Sequence, residues 1–283
     1  MSIRFGPAGI GGVNEALKNL EEYRGLGIRA CEIAFTYGIY IKNKEDAEKI
    51  GKMAKESDIK LSIHAPYWIN LNSEDAEKVR KSKERIIECC KVGTWLKAEL
   101  VVFHPGYYSI KRTPGSSYDI SSKNGSGLID KEKTYEKIKN EILEMQKILK
   151  EKNYTTKLAL ETTGKLNVFG SVEEISQLVK DTGCHFCIDF AHILAREKDY
   201  KFKEVFEKFE KTENAKNSDE MHIHFSGIEY GEKGEKKHKK TDKKEWKKLL
   251  ENLPKDKNIV IINESPTPVE DSLDGLTIKH SLK

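Results

Sequence analysis

The chain is 283 residues long, with 37% hydrophobic residues, 34% charged residues and a formal net charge of +4. This composition is typical of a globular protein, and the length allows one large domain or two small ones. The apolar runs are far too short for a membrane helix, and the first residues lack the apolar stretch of a signal peptide, so we expect neither membrane insertion nor secretion.

Eight short β-branched runs recur along the chain, and each is followed by a charged stretch. The runs have the length of buried strands, and the stretches after them carry apolar residues at helical intervals, as at Ile138, Ile142 and Met145. Acidic residues after Ser73 and Ser171 indicate two helix starts with these serines as N-caps. The predicted strands are residues 3–5, 30–34, 61–64, 100–104, 158–161, 186–189, 222–225 and 259–264.

This alternation of strands and helices predicts an α/β protein with the (β/α)₈ TIM-barrel fold. A doubly wound open sheet is the alternative. No glycine motif for dinucleotide or phosphate binding follows the first predicted strand, which disfavours those two chemistries. No long linker divides the chain, so we expect residues 1–283 to form a single TIM-barrel domain.

The cysteines indicate a reducing compartment. There are five of them, an odd number, without the spacing of a disulfide framework. We therefore predict a cytoplasmic protein. Cys184 and Cys187 have a C-x-x-C spacing, but no second pair accompanies them, and we expect both to be small apolar fillers.

Metal-binding residue types end six consecutive predicted strands, from the third to the eighth. A single histidine at a strand end is more often structural, but six such ends in succession are hard to attribute to chance. In a TIM barrel all of these ends meet at one mouth, where active sites lie. We therefore predict a metal site at the C-terminal mouth, built from His64, His104, Glu161, Asp189, His192, His224 and Glu264.

The composition of this set indicates the metal and the number of ions. Imidazole and carboxylate without cysteine suit Zn²⁺, with Mn²⁺ or Fe as competitors. The candidates exceed what one zinc ion takes, so we expect at least two ions with a carboxylate such as Glu161 bridging them. Paired metal ions are typical of phosphoester hydrolysis. Sugar isomerases also use such barrel mouths, so the metal alone leaves the reaction open.

Residues that flank the ligands favour a nucleic acid as the partner. Tyr67 and Trp68 follow His64 closely, and Tyr107 follows His104. Exposed aromatic side chains can stack on bases, although packing of the loop would explain them equally well. A stretch at 231–257 holds 11 Lys against 6 acidic residues, among them Lys236 and Lys237. It is a candidate phosphate contact, with a solvated face as the alternative.

The ordered motifs resemble those of the endonuclease IV family, zinc-dependent AP endonucleases of the xylose isomerase-like TIM-barrel superfamily. The resemblance extends from about residue 3 to residue 266. The segments that carry it are His64-Ala-Pro-Tyr67 with Ile69-Asn70-Leu71, His104-Pro-Gly106, Leu160-Glu161-Thr162, Ile188-Asp189-Phe-Ala-His192, His222-Ile-His224 and Asn263-Glu264-Ser265-Pro266.

The resemblance implies a TIM barrel that hydrolyses the phosphodiester 5′ to an abasic site during base excision repair. As a mechanism we predict a metal-bound hydroxide as the nucleophile, with Glu161 bridging two metals and Glu264 or Asp189 orienting the attacking water. Tyr67 and Trp68 would belong to the loop that penetrates the DNA. The implied metal ligands are His64, His104 and Glu161 for a first zinc, Glu161, Asp189, His224 and Glu264 for a second, and His192 and His238 for a third.

One departure from the family concerns the third zinc. The family motif reads Asp-x-His, whereas this chain has Lys236 where the family has the aspartate before His238. A charged lysine cannot bind a metal, so Glu235, Glu232 or a water would have to replace the aspartate. Two zinc ions are therefore expected, and the third depends on that replacement.

Two rival functions remain at this stage. One is a sugar isomerase or epimerase on the same barrel, and the other is a damaged-DNA binder without catalysis. The partner that we expect is double-stranded DNA with abasic lesions, bound by a monomer on the nucleoid. We also expect His185 to point away from the mouth, and His222 to lie deeper in the barrel than His224.

Overall fold

A computed structural model describes residues 2–110, 129–212 and 220–282. Its eight-stranded parallel sheet curves into a nearly closed barrel with helices between the strands. The barrel strands are β1 (Ile3–Pro7), β2 (Ala30–Ala34), β3 (Lys60–His64), β4 (Leu100–Phe103), β7 (Lys157–Glu161), β8 (His185–Asp189), β9 (Glu220–His224) and β12 (Asn258–Asn263). Two short hairpins supply β5 (Ser109–Ile110) with β6 (Ile129–Asp130), and β10 (Gly227–Gly231) with β11 (Gly234–Lys239).

The helices alternate with these strands, as the apolar spacing predicted. Ser171 caps its helix in a capping box with Glu174. The prediction for Ser73 was wrong, because Asp75 is the N-cap there and the Ser73 hydroxyl accepts from the Asp75 amide. The helices are α1 (Val13–Gly25), α2 (Lys44–Glu56), α3 (Ala76–Leu96), α4 (Lys131–Glu151), α5 (Val172–Thr182), α6 (Phe190–Glu197), α7 (Phe202–Glu210), α8 (Lys243–Asn252) and α9 (Pro268–Ser281).

The order of strands around the sheet is β1, β12, β9, β8, β7, β4, β3, β2. β1 and β2 form the seam of the barrel. There the structure has one isolated bridge, between Ala8 and Glu32, and backbone bonds from Gly9 N to Glu32 O and from Arg29 N to Phe5 O. Gly6 allows this close approach, since a Cβ at that position would lie 1.7 Å from the carbonyl oxygen of Ala30.

The core has two layers. A large apolar shell packs between the sheet and the helices, where Trp246 lies against Phe5 and Phe225. Inside the barrel, small side chains such as Ala159 and Cys187 leave space for polar groups. All five cysteines are buried and none forms a disulfide, which fits their expected role as fillers.

The two ends of the barrel differ in shape. A cavity of about 460 Å³ lies at the N-terminal ends of the strands, lined by charged side chains that include Lys60, Glu99 and Glu220, with His185 and His222. The opposite end is the mouth, where the predicted ligands lie. Among the described residues, no helix is long and apolar enough to cross a membrane.

Candidate metal centre

The first cluster joins three neighbouring barrel strands at Glu161. Glu161 is fully buried at the end of β7, and its Oε2 lies 3.0 Å from Nε2 of His64 and 2.8 Å from Nε2 of His104. His64 donates from Nδ1 to the carbonyl oxygen of Ala65 at 2.8 Å, which leaves Nε2 as its ligand atom. His64, His104 and Glu161 therefore offer converging donor atoms within 4.8 Å of one another.

The second cluster uses the other oxygen of Glu161. Oε1 lies 3.0 Å from Nδ1 of His224, and Oε2 of Glu264 lies 3.3 Å from the same nitrogen. Asp189, at the end of β8, completes a set of four with mutual distances within 4.8 Å. Glu161 thus belongs to both clusters, as a bridging carboxylate would.

The third cluster brings Asp189, His192 and His238 within 4.8 Å of one another. His192 donates from Nδ1 to the carbonyl oxygen of Thr162 at 2.9 Å, so its Nε2 is available as a ligand. That Nε2 lies 3.3 Å from Oε2 of Glu235. Glu235 thus places a carboxylate beside the third cluster.

A β-bulge in the hairpin explains why Glu235 faces the mouth. Glu229 pairs with Lys237 and Tyr230 with Glu235, so Lys236 is an extra residue in β11. The side chains of Glu235 and His238 are 17% and 22% exposed, whereas those of Lys236 and Lys237 are 59% and 71% exposed. The bulge therefore directs Glu235 and His238 inward and both lysines outward.

Two glycines hold the hairpin against the loop after β7. Gly234 has φ +96°, and a Cβ there would lie 2.1 Å from the carbonyl oxygen of Gly164. A Cβ on Gly164 would lie 2.5 Å from Oε2 of Glu235. The amide of Glu235 donates to the oxygen of Gly164 at 3.2 Å, so the backbone fixes this carboxylate beside His192.

The electrostatics of the centre are those of carboxylates and imidazoles crowded together in a buried site. Burial raises the pKa of Asp189 to about 8, and the charges of Glu161 and Glu264 act in the same direction. Burial alone would lower the pKa of His64, but its hydrogen bond with Glu161 outweighs this and raises it to about 9. Burial would raise the pKa of Glu264, but His224 lowers it to about 2.

A buried carboxylate oxygen without a hydrogen bond supports a divalent cation at these residues. Within the described parts of the chain, Oδ2 of Asp189 is buried and makes no hydrogen bond, and Nδ1 of His192 lies 3.4 Å from it. Leaving such atoms unpaired is costly unless something binds them. The donors are imidazole nitrogens and carboxylate oxygens, which suit Zn²⁺ and related ions.

The prediction from sequence missed one buried carboxylate, Glu32. It lies inside the barrel on β2, is fully buried, and has Oε1 2.9 Å from Nε2 of His224. Its other oxygen accepts from Ser62 at 2.7 Å and lies 3.2 Å from Nε2 of His222. The sequence did contain a signal for Glu32, because it is a charged residue in the middle of an apolar run that was expected to form a buried strand.

The expected nucleic-acid contacts lie on loops of the mouth and are exposed. Tyr67, Trp68 and Tyr107 are 63%, 56% and 47% exposed. Arg85 holds the loop of Trp68 by donating to the Trp68 carbonyl at 3.2 Å. Its guanidinium carbon also lies 6.0 Å from the centre of the Trp68 ring, in a cation–π contact. Lys236 and Lys237 extend to solvent on the same hairpin that carries His238, and both pair with Glu229.

Comparison with known proteins identifies the family. The xylose isomerase-like TIM barrel family matches residues 20–277, which is most of the chain. The protein belongs to the xylose isomerase-like TIM barrel family. This family member is 37% identical over 235 residues to an uncharacterized protein of Methanocaldococcus jannaschii, an alignment that covers 80% of this chain and 77% of the relative.

The solved structures that are similar to this family member are named as enzymes of different kinds. The crystal structure of SacUVDE has a TM-score of 0.71 at 16% identity, covering 100% of this chain and 99% of that one. A D-tagatose 3-epimerase-like protein has a TM-score of 0.68 at 17% identity, covering 100% of this chain and 98% of that one. Endonuclease IV from Thermus thermophilus has a TM-score of 0.66 at 20% identity, covering 99% of this chain and 98% of that one. These similarities confirm the predicted barrel fold. They do not identify the reaction, which has to be argued from the residues of the site.

Proposed function

We propose that this protein is a metal-dependent endonuclease that cleaves the DNA backbone 5′ to abasic sites. The observation that supports this most directly is the three-part ligand set, in which Glu161 and Asp189 each belong to two clusters. It supports the proposal because the resemblance to endonuclease IV implies a similar grouping of ligands. The shared carboxylates suit neighbouring ions that act together on one phosphate.

The residues of the site have distinct tasks in this proposal. Glu161 would hold two ions at a fixed separation, because one oxygen faces each cluster. Glu264, the most exposed carboxylate of the second cluster, would orient the attacking water. Asp189 would join the second and third clusters. Bound metal ions would supply the lowered pKa of the water and neutralise the charge that develops on the phosphate oxygens.

The rim of the mouth fits a duplex better than a small sugar. Tyr67 and Trp68 extend from the loop after β3, and Tyr107 extends from the loop after β4. Aromatic side chains in such positions can occupy the gap left by a missing base. Lys236 and Lys237, turned away from the metal ligands, are free to approach phosphates by breaking their exposed pairs with Glu229.

The test is nicking of a duplex oligonucleotide with one abasic analogue by zinc-loaded protein. We expect one cut, 5′ to the lesion, and none in the intact duplex. Glu161→Gln should lose several orders of magnitude of activity. Asp271→Asn is the matched control, since Asp271 is equally buried but bonds Thr241 and Trp246 and not the cluster. Absence of nicking by the fully loaded wild type would refute the proposal.

A sugar epimerase or isomerase is the second candidate. The observation that favours it is the four-residue cluster of Glu161, Asp189, His224 and Glu264, which suffices for a single ion at the mouth. The same preparation, assayed with ketoses in place of DNA, would distinguish the two. Epimerisation without binding to abasic duplex would support the sugar enzyme, and tight lesion binding without either reaction would indicate a DNA-binding protein.

A further inference from the structure

We propose that Glu32 is a positioning residue that orients His224 for metal binding through Nδ1. The two nitrogens of His224 face different partners. Nδ1 faces Glu161 and Glu264, at 3.0 and 3.3 Å, and Nε2 faces Oε1 of Glu32 at 2.9 Å. A metal ligand must offer an unprotonated nitrogen, so a carboxylate at Nε2 selects the tautomer in which Nδ1 is free.

Burial of the Glu32 carboxylate is unfavourable unless polar or positively charged groups compensate for its charge. It is fully buried in the interior of the barrel, where an unpaired carboxylate would be strongly destabilising. Three side chains from other strands compensate for the charge, namely Ser62 from β3 and His222 and His224 from β9. Ser62 and His222 both contact Oε2, which leaves Oε1 directed at His224.

In this arrangement the two histidines of β9 have different roles. Strand alternation places His222 and His224 on the same interior face, with Glu32 spanning the distance between them. His222 supports Glu32 from the side of the N-terminal cavity, and His224 receives its effect on the side of the mouth. The inference rests on a metal at the second cluster, and it does not depend on which substrate is cleaved.

The test measures zinc affinity and not turnover. Zn²⁺ is titrated into metal-free protein in competition with a chromophoric chelator, for wild type, Glu32→Gln and Asp271→Asn. Glu32→Gln should bind one equivalent roughly 10–100-fold more weakly, the usual loss when the partner of a ligating histidine is removed. Asp271→Asn should keep wild-type affinity. Equal zinc affinity of Glu32→Gln and wild type would overturn the proposal.

Two further measurements keep the inference testable should Glu32→Gln unfold. Ser62→Ala retains the carboxylate but removes a hydroxyl that fixes it, and should weaken the same zinc equivalent by a smaller factor. In zinc-loaded wild type, ¹⁵N spectra should show a protonated Nε2 on His224. A proton on Nδ1 instead would contradict the proposal. Neither result depends on DNA cleavage, so failure of the proposed nuclease would leave this conclusion intact.

Discussion

At the residue scale, Glu235 is a candidate fourth ligand for the third cluster, which consists of Asp189, His192 and His238. Its carboxylate lies beside His192, whereas Lys236 points to solvent. We expect Glu235→Gln to lower the metal content by about one equivalent, because a neutral amide is a poor ligand for Zn²⁺. Elemental analysis after dialysis measures this. Lys236→Ala is the neighbouring control and should retain all metal. Loss of metal from Lys236→Ala but not from Glu235→Gln would mean that Lys236, and not Glu235, faces the candidate metal centre.

His185 allows a second prediction at this scale, concerning pH. It lines the cavity at the N-terminal end of the barrel, and burial together with Lys157 lowers its pKa to about 4. The unfolded chain takes up a proton near the ordinary pKa of about 6.5, whereas the folded chain resists it. The contribution of His185 to stability is therefore present above about pH 6.5 and is lost as the pH falls toward 4.

Chemical denaturation across that pH range measures the effect. His185→Gln should show a weaker loss of stability with falling pH than wild type. His280→Gln, at an exposed position in α9, is the control and should follow the wild-type curve. Superimposable profiles for wild type and His185→Gln would show that His185 is protonated as easily in the folded protein as in the unfolded chain.

At the scale of an element, the loop after β3 presents a fixed aromatic side chain. Arg85 on α3 holds Trp68 through its carbonyl and its ring, so the loop loses little freedom on binding. We expect Trp68→Ala to weaken binding to abasic duplex by about 1–3 kcal/mol, the usual value for loss of a stacked base contact. Arg85→Ala should cause a smaller loss, because the tryptophan remains but is less ordered.

Fluorescence anisotropy with a labelled abasic duplex measures these affinities. Leu26→Ala is the control, since Leu26 is an exposed apolar residue that follows α1, toward the opposite end of the barrel. It should bind as wild type does. Unchanged binding by Trp68→Ala would remove the loop after β3 from the proposed DNA surface.

The elements also show what the sequence could and could not predict. All eight barrel strands were predicted, because parallel strands covered on both faces are continuous apolar runs. The hairpin of β10 and β11 was missed, since β11 is rich in lysine and glutamate and has no apolar alternation to indicate a strand. Its bulge, which turns Glu235 inward, depends on pairing with β10 and has no signal of its own.

The convergence of the candidate ligands was predictable for a similar reason, and the place of Glu32 was not. Strand ends converge in a TIM barrel, so the sequence alone predicts that residues at six strand ends lie close together. Glu32 lies in the middle of a strand, where the direction of a side chain follows from barrel curvature and register. Only the packed interior shows that it meets His222 and His224, which lie about 190 residues later in the chain.

At the scale of the whole molecule, the candidate metal centre draws residues from six strands, so a bound cation should stabilise the fold. In metal-free protein its carboxylates repel one another, and Oδ2 of Asp189 makes no hydrogen bond. Saturation at a thousand times the dissociation constant of a site contributes about 4 kcal/mol. We expect chelation to lower the melting temperature, as measured by calorimetry, and added Zn²⁺ to restore it. An unchanged melting temperature after verified metal removal would contradict this.

The seam of the barrel has a kinetic consequence for this centre. β2 meets β1 through the backbone of Glu32, whose oxygen accepts the amide of Gly9 at 2.8 Å, while its side chain reaches His224. Local opening at this seam would move Glu32 away from His224 in the same event. We therefore expect release of a metal ion from the second cluster to be no slower than opening of the seam.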